Sequence, residues 1–251
     1  MDLTPIAQRM RSAKRMLFIT GAGLSADSGL PTYRGVGGLY NDRDAESGMP
    51  IEVALSGDVF AKNPAITWRH IRHIEQACRN AAPNDAHHII AKLQNRCHVT
   101  VLTQNVDGFH MAAGSKDIID IHGDVHRLRC TACNWRDTVT TYAHLDTQAV
   151  PRCPKCQSVI RPDVVLFGEM LDPNRIQRLQ DALDTGFDMV FSIGTTSVFP
   201  YIALPVIACG RAGAMTIEIN PGHTEVSHAV HHKIPLGAAH TLRQLEAALI
   251  S

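Results

Sequence analysis

Short apolar runs alternate along the chain with longer stretches in which apolar residues recur at helical spacing. A β-branched apolar run that ends at a turn residue is typical of a buried strand, whereas spacings of three and four residues predict a helix with one buried face. We predict strands at 16–20, 98–103, 118–123, 164–167, 189–193, 215–219 and 233–236. We predict helices at 3–10, 58–79, 85–95, 175–185, 201–212 and 241–250. This alternation favours an α/β fold built on a doubly wound, parallel, Rossmann-type sheet.

The turn after the first predicted strand carries the pattern Gly21-x-Gly23-x-x-Ala26. It matches the fingerprint of a dinucleotide-binding turn, in which glycines let the backbone approach a pyrophosphate at the N-terminus of the next helix. Ser25 and Ser28 can donate hydroxyl hydrogen bonds to phosphate oxygens. The pattern alone is also compatible with an ordinary glycine turn after a strand.

The chain departs from the layout of a dehydrogenase directly after this turn. A dehydrogenase continues with a full helix, a second strand and an acidic residue about 20 positions further on. Here Leu30-Pro31 ends the helix early, and a glycine-rich stretch at 33–38 begins with Tyr33 and Arg34. We interpret this stretch as a loop that closes over a ligand, so the chain keeps the phosphate-binding turn without the layout for hydride transfer.

Polar residues follow two predicted strands at the end where parallel α/β sheets bind ligands. Gln104, Asn105 and Asp107 follow the strand at 98–103, and His122 lies at the end of the next strand. Such residues can merely cap helices or satisfy turns. Together with the glycine turn, however, they predict a binding site.

His87 and His88 lie next to each other on the predicted helix at 85–95. Adjacent residues on a helix point in different directions, so the two rings are poorly placed to bind one ligand together. We therefore predict that they occupy surface positions.

Four of the seven cysteines form two Cys-x-x-Cys pairs, Cys130 with Cys133 and Cys153 with Cys156. Two pairs at this separation can bring four thiolates to one tetrahedral Zn²⁺, with Zn–S distances of ~2.3 Å. A redox dithiol would need only one pair, and the pattern is not that of a secreted disulfide scaffold. We predict one structural zinc ion with no position open for water.

The composition narrows the class of protein more than it narrows the fold. Lysine plus arginine and aspartate plus glutamate both number 24, so the formal net charge is zero, which argues against nucleic-acid binding through bulk charge. No apolar run approaches the roughly 18 residues of a membrane span, and the basic N-terminus lacks an apolar signal core. We expect no membrane association, no direct nucleic-acid partner and a reducing, cytoplasmic location.

Taken together, these motifs resemble those of the sirtuins, the NAD-dependent protein lysine deacylases, over nearly the whole chain. The motifs that carry the resemblance are Gly21-Ala-Gly-x-Ser-x-x-Ser-Gly29-x-Pro-x-x-Arg34, Thr103-Gln-Asn-Val-Asp107-Gly-x-His110, Ile121-His-Gly123, the four cysteines, Arg161-Pro-x-Val-Val-x-Phe-Gly-Glu169, Gly194-Thr195 and Ile219-Asn220. The resemblance implies one catalytic unit of two domains. Residues 1–32, 84–125 and 160–251 would form the NAD-binding domain, and residues 33–83 and 126–159 would form a small domain with a helical insertion and a zinc ribbon.

The resemblance also implies a role for each residue of the site. His122 would be the catalytic base, and Asn105 would share the catalytic site. The residues that would bind NAD are Gly21, Ala22, Gly23, Ser25, Ala26, Ser28, Tyr33, Arg34, Gln104, Asn105, Val106, Asp107, His122, Gly194, Thr195, Ser197, Asn220 and Ala239. The residues that would pair with an acylated protein substrate, bound as an extended strand, are Val164, Val165, Leu166 and Phe167.

The Thr-Tyr pair at 32–33 resembles the sirtuin branch that includes the desuccinylases and the bacterial deacylases. That branch selects acidic acyl groups through a Tyr-x-x-Arg motif, and an alignment without gaps places Ile71 and Ile74 at those two positions. Two isoleucines cannot pair with a carboxylate, and burying one unpaired is costly. We therefore predict a preference for acetyl or longer apolar acyl groups, while the nearby Arg69 and Arg72 keep succinyl as an alternative.

The resemblance implies NAD-dependent deacetylation or deacylation of protein lysines, with transfer of the acyl group to the ADP-ribose of NAD and release of nicotinamide. A histidine with a pKa near neutrality suits the removal of a proton from a weakly acidic ribose hydroxyl group. The alternatives are a protein mono-ADP-ribosyltransferase and, from another class, a non-catalytic NAD-sensing module. The intact set of Asn105, Asp107 and His122 favours a deacylase. We expect a monomer.

Overall fold

The structure is a computed structural model, which describes residues 2–32, 43–44, 48–145 and 150–250. Tyr33 and Arg34, which we predict to close over NAD, lie outside the described residues. The strands are β1 (Arg15–Thr20), β2 (His98–Thr103), β3 (Asp117–Asp120), β4 (Gly123–Cys130), β5 (Arg136–Thr138), β6 (Ile160–Val164), β7 (Met189–Ile193), β8 (Met215–Ile219) and β9 (His232–Ile234). The helices are α1 (Thr4–Ser12), α2 (Ala22–Ser25), α3 (Ile51–Ala54), α4 (Gly57–Lys62), α5 (Pro64–Arg79), α6 (Asp85–Leu93), α7 (Phe109–Ala112), α8 (Pro173–Thr185), α9 (Pro200–Arg211) and α10 (Ala238–Ile250), and a 3₁₀ turn at Ala26–Ser28 follows α2. Among the described helices, none has both the length and the apolar character needed to cross a membrane.

Six strands form one parallel sheet in the order β3-β2-β1-β7-β8-β9. Its central strands β1 and β7 are almost entirely buried, because helices cover both faces. Helices α1, α6 and α10 pack on one face, and α8 and α9 pack on the other. The structure therefore confirms the predicted doubly wound fold. The strand order reverses between β1 and β7, which makes their carboxyl ends the switch point where such sheets bind ligands.

A second, antiparallel sheet has the order β5-β4-β6 and lies beside the cysteine pairs. Trp68 of α5 is fully buried against it and donates its indole N–H to the Ile160 carbonyl oxygen at 2.9 Å. The apolar side chains around Trp68 come from the helical insertion and from the strands of this sheet, so the two segments share one core. This core is separate from those on the two faces of the parallel sheet.

The prediction that residues 164–167 form a strand of the parallel sheet is wrong. Val164 is the last residue of β6 and pairs with Gly123 in the antiparallel sheet. Beyond it, the Val165 N–H donates to the His122 carbonyl oxygen at 2.9 Å. An apolar run predicts burial but not which elements provide it, and here the half-buried segment lies where the two sheets meet.

The predicted helix at 58–79 is interrupted. Helix α4 ends at Lys62 and α5 begins at Pro64, because proline lacks the N–H that would continue a helix but suits a first turn.

The prediction that His87 occupies a surface position is wrong, because this residue is fully buried. Its Nδ1 accepts a hydrogen bond from the Asn84 N–H at 3.2 Å in a capping box, which turns the ring towards the core.

Candidate active site

The glycine turn after β1 lies directly against the turn after β7. A Cβ on Gly23 would stand 2.7 Å from the Gly194 Cα, and a Cβ on Gly194 would stand 2.4 Å from the carbonyl carbon of Gly23. The Gly21 N–H donates to the Ile193 carbonyl oxygen at 3.0 Å, which ties the two turns together. The switch point therefore offers bare backbone, which is the surface that a dinucleotide pyrophosphate needs for a close approach.

Asn105, Asp107 and Ser25 form one buried hydrogen-bonded group beside this turn. Asn105 Nδ2 donates to the Gly21 carbonyl oxygen and to Ser25 Oγ, both at 3.1 Å, and Ser25 Oγ donates to Asp107 Oδ2 at 2.7 Å. The other carboxylate oxygen of Asp107 accepts from the Phe109 N–H at 2.9 Å. Burial raises the pKa of Asp107, although its hydrogen bonds oppose that shift. The structure thus brings together three predicted site residues from two separate turns.

Gln104, Thr195 and Asn220 form a second chain of hydrogen bonds across the ends of β2, β7 and β8. Gln104 Nε2 donates to Thr195 Oγ1 at 2.8 Å, and Asn220 Nδ2 donates to the Thr195 carbonyl oxygen at 3.0 Å. The Ser197 N–H also donates to Thr195 Oγ1, at 3.1 Å. Ala239 lies in the first turn of α10, where its N–H donates to a carboxylate of the 3₁₀ turn at 3.0 Å. The other predicted cofactor residues lie on the turns already described, namely Ala22, Ala26 and Ser28 after β1 and Val106 after β2.

His122 has a hydrogen-bond partner at each ring nitrogen. Nδ1 is 3.1 Å from the Gln104 carbonyl oxygen, and Nε2 is 2.8 Å from the Tyr201 hydroxyl oxygen. Because a carbonyl oxygen can only accept, Nδ1 carries the proton and Nε2 presents its lone pair. Burial lowers the pKa of His122 to about 4, and the nearby Arg175 contributes in the same direction. The imidazole is therefore neutral at pH 7, as a general base must be, and its pKa lies below the near-neutral value that we expected from the sequence.

Gly123 allows the chain to pass directly from His122 into β4. It has φ 89°, and a Cβ there would stand 1.8 Å from the Asp163 carbonyl oxygen in β6. No other residue fits both the backbone conformation and the space. His122 is consequently fixed at the seam, by which we mean the line along which the parallel and antiparallel sheets meet.

Two aromatic residues beside His122, Phe199 and Tyr201, were not predicted from the sequence. Their rings stack with centroids 5.3 Å apart and an interplanar angle of 11°, and the Phe199 ring meets the imidazole edge-on at 6.1 Å. Pro200, between them, occupies the first turn of α9. Two aromatic residues on either side of a proline at a helix start are too common a pattern to have carried a prediction.

The four cysteines converge on one point. All four Sγ atoms lie within 4.8 Å of one another, and the Sγ atoms of Cys130 and Cys156 are 3.4 Å apart. The Sγ atoms of Cys133 and Cys153 are 3.6 Å apart. Tetrahedral Zn–S bonds of ~2.3 Å impose separations of about 3.8 Å, so the residues fit one zinc ion. Four protein ligands leave no position for water, which makes the site structural.

The segment at 164–167, which we predict to pair with a substrate strand, runs along the seam. The N–H groups of 165–167 all donate within the chain, including the Leu166 N–H to Glu169 Oε2 at 2.9 Å. Glu169 is itself held by Arg161, whose guanidinium donates to Oε2 at 2.9 Å. The pairing of this segment with a peptide stays a prediction.

Ile71 and Ile74, predicted to line the acyl tunnel, lie on the face of α5 that packs in the core around Trp68. Ile71 is 2% exposed, and Ile74 is partly buried beside it. The two nearby cations have other contacts, since Arg69 donates to Asp44 Oδ1 at 3.1 Å and the Arg72 guanidinium lies 5.3 Å from a buried indole ring. The contact of the isoleucines with an acyl group stays a prediction.

Comparison with known proteins identifies the family of the chain. The Sir2 family profile matches residues 21–200. The chain is 48% identical over 235 residues to NAD-dependent protein deacylase 2 of Pseudomonas aeruginosa, a match that covers 92% of this chain and 91% of that protein. It is 35% identical over 248 residues to NAD-dependent protein deacylase 1 of Caldanaerobacter subterraneus, with 98% of each covered.

Two solved structures show the same fold. A Sir2 homologue–NAD complex matches with a TM-score of 0.86 at 32% identity, covering 99% of this chain and 95% of that one. A Sir2–p53 peptide–NAD+ complex matches with a TM-score of 0.85 at 28% identity, covering all of both chains. The chain belongs to the Sir2 family.

Proposed function

We propose that this chain is an NAD-dependent protein deacylase in which His122 is the general base. The observation that carries the proposal is the state of the imidazole, which is neutral and has its tautomer set by the Gln104 carbonyl oxygen. An imidazole with a lone pair at Nε2 can take a proton from a hydroxyl group, which contributes typically ~10²–10⁴-fold to a rate. The relatives named NAD-dependent protein deacylases support the same activity.

The residues at the switch point account for NAD binding. NAD supplies the ribose that receives the acyl group, and nicotinamide is the leaving group. The backbone at Gly21 and Gly23 accommodates the pyrophosphate. Asn105 and Asp107, ordered by Ser25, present fixed polar groups at the nicotinamide end. His122 takes up the proton of the reacting hydroxyl group at its Nε2 atom.

The substrate is an acylated protein. We propose that it binds as an extended strand beside 164–167, and the peptide complex of a related Sir2 protein supports a peptide site of this kind. We further propose that acetyl is preferred over succinyl, that 33–83 and 126–159 form the small domain, and that the chain acts as a monomer. A reducing, cytoplasmic compartment suits its four thiolate ligands.

Replacement of the base tests the function. Wild type, His122→Ala and the matched control His88→Ala, at an exposed position, are assayed on one acetyl-lysine peptide at saturating NAD. We expect His122→Ala to lose at least ~10²-fold in kcat, because the base is absent, and to bind NAD as wild type does by calorimetry. Activity of His122→Ala within threefold of wild type would contradict the proposal. Transfer of label from NAD to a protein without loss of acetyl would favour the ADP-ribosyltransferase instead.

A further inference from the structure

The hydroxyl group of Tyr201 lies at the point where a proton must reach His122. Its oxygen is 2.8 Å from Nε2, and Nδ1 already donates to the Gln104 carbonyl oxygen. With Nδ1 protonated, the tyrosine O–H must be the donor in its contact with Nε2. The lone pair that takes up the proton therefore points at Tyr201, and the nitrogen has no second lone pair for an incoming hydroxyl group.

The position of this hydroxyl group does not depend on the hydrogen bond alone. The Tyr201 ring stacks on Phe199 with centroids 5.3 Å apart, and it meets the imidazole at 82° with centroids 5.9 Å apart. Pro200 restricts the backbone at the start of α9. The phenol oxygen is therefore oriented before any substrate binds, which is the arrangement that favours a proton transfer.

We propose that Tyr201 relays the proton to His122. The reacting hydroxyl group of the substrate gives its proton to Tyr201 Oη while the original Oη proton moves to Nε2. Afterwards the phenol is neutral again, the imidazole is an imidazolium, and the electron pair left on the substrate oxygen is the nucleophile. The relay rests on the proposed deacylase function and makes Tyr201 a second catalytic residue.

The relay also provides for the charged form of the base. An imidazolium at this half-buried position needs acceptors for two N–H groups, and an unpaired charged N–H is costly. The Gln104 carbonyl oxygen serves Nδ1. The phenol oxygen can donate to the neutral ring and accept from the charged ring, so the same group serves Nε2 in both states.

Tyr201→Phe tests the relay because it removes the hydroxyl group and keeps the stacked ring. We expect kcat for the acetyl-lysine peptide to fall at least tenfold. Exchange of labelled nicotinamide into NAD, which precedes the action of the base, should stay within twofold of wild type. The matched control is Tyr142→Phe, which removes another buried tyrosine hydroxyl, one that donates to the Val125 carbonyl oxygen away from His122. That control should change both rates together or neither.

A measurement without substrate provides a second test. In ¹⁵N NMR of the histidine rings, with the His122 signals assigned through His122→Gln, we expect the Nδ1–H tautomer in both wild type and Tyr201→Phe, because the Gln104 carbonyl oxygen sets it. The Nε2 signal should shift in Tyr201→Phe, because its lone pair has lost the phenol donor. An Nε2–H tautomer in wild type would overturn the relay. So would Tyr201→Phe turnover within twofold of wild type, or above it, since the hydroxyl group would then be dispensable or would compete with substrate. Failure of the deacylase function itself would differ, because wild type would then show neither exchange nor deacylation.

Discussion

The carboxyl edge of the parallel sheet and the cysteine ribbon, the segment 130–156 that carries the four cysteines, each form a site for a ligand. Different interactions order the two sites. At the sheet edge, Ser25, Asn105 and Asp107 satisfy one another through hydrogen bonds of 2.7–3.1 Å. At the ribbon, four sulfur atoms crowd within 4.8 Å, an arrangement that thiolates accept only around a cation. The chain therefore orders its proposed NAD site with its own groups, whereas its zinc site contributes folding free energy only when metal is bound.

The largest effect expected from this contrast is that of removing one zinc ligand. Cys153→Ser should abolish zinc binding and unfold the ribbon, because structural zinc supplies on the order of 10 kcal/mol of apparent binding free energy. Wild type should contain about one equivalent of zinc by metal analysis. Hydrogen exchange should show lost protection in β4–β6 and retained protection in β1 and β7. The matched control is Cys209→Ser, which changes a buried cysteine of α9 that packs against the parallel sheet. Less than half an equivalent of zinc in wild type purified without chelator would contradict the four-thiolate site.

The parallel-sheet region should lose stability as the pH falls, because it contains a buried neutral histidine. Burial lowers the pKa of His110 to about 3, and its Nε2 is 3.0 Å from Thr20 Oγ1. As the pH falls below about 6.5, the unfolded state takes up a proton that the folded state refuses, so the free energy of unfolding falls with pH. His110→Gln should remove roughly 2–3 kcal/mol of the loss between about pH 6.5 and 4.5. Urea titrations at several pH values measure it, with His240→Gln, at an exposed position, as control. An unchanged pH dependence in His110→Gln would show that this ring does not carry the effect.

A smaller effect is expected inside the preorganised NAD site. Ser25→Ala removes the hydroxyl group that accepts from Asn105 and donates to Asp107, and the loss of these two buried hydrogen bonds costs about 2 kcal/mol. The free energy of unfolding at pH 7 should fall by that amount, and NAD should bind more weakly in calorimetry. Ser12→Ala, at an exposed helix position, is the control. Loss of zinc from Ser25→Ala would contradict the independence of the two sites, because it would mean that they fold as one unit.

The smallest effect concerns acyl preference in the small domain. Wild type should prefer acetyl-lysine over succinyl-lysine, because a buried carboxylate beside Ile71 and Ile74 would lack a cation. Ile74→Arg places a guanidinium at the partly buried position and should shift the ratio of kcat/KM towards succinyl about tenfold, or ~1.4 kcal/mol. Ile74→Met, which adds length without charge, is the control. A wild-type preference for succinyl would assign the cation to Arg69 or Arg72.

The sequence predicted the parts of the molecule that local chemistry determines. The glycine turns, the polar strand ends and the paired cysteines all need particular residue types at short spacings, and the structure brings them together. The parts that it missed depend on contacts between distant segments. Tyr201 lies 79 positions from His122, and no local pattern connects them. His87 looked exposed because helical spacing alone does not reveal that a capping box turns its ring inward.

Gly123 also has a consequence for how the molecule is assembled. Because Gly123 pairs with Val164 of β6 and the His122 carbonyl oxygen accepts from the Val165 N–H, His122 is held in its position only when β6 closes against β4. During synthesis, residues 1–122 leave the ribosome before Asp163 does. A chain that has paired β1, β2 and β3 therefore still lacks His122 in its final position. Catalysis is thus tied to the completed union of the two sheets. Unfinished or partly unfolded chains would therefore be inactive and would not consume NAD.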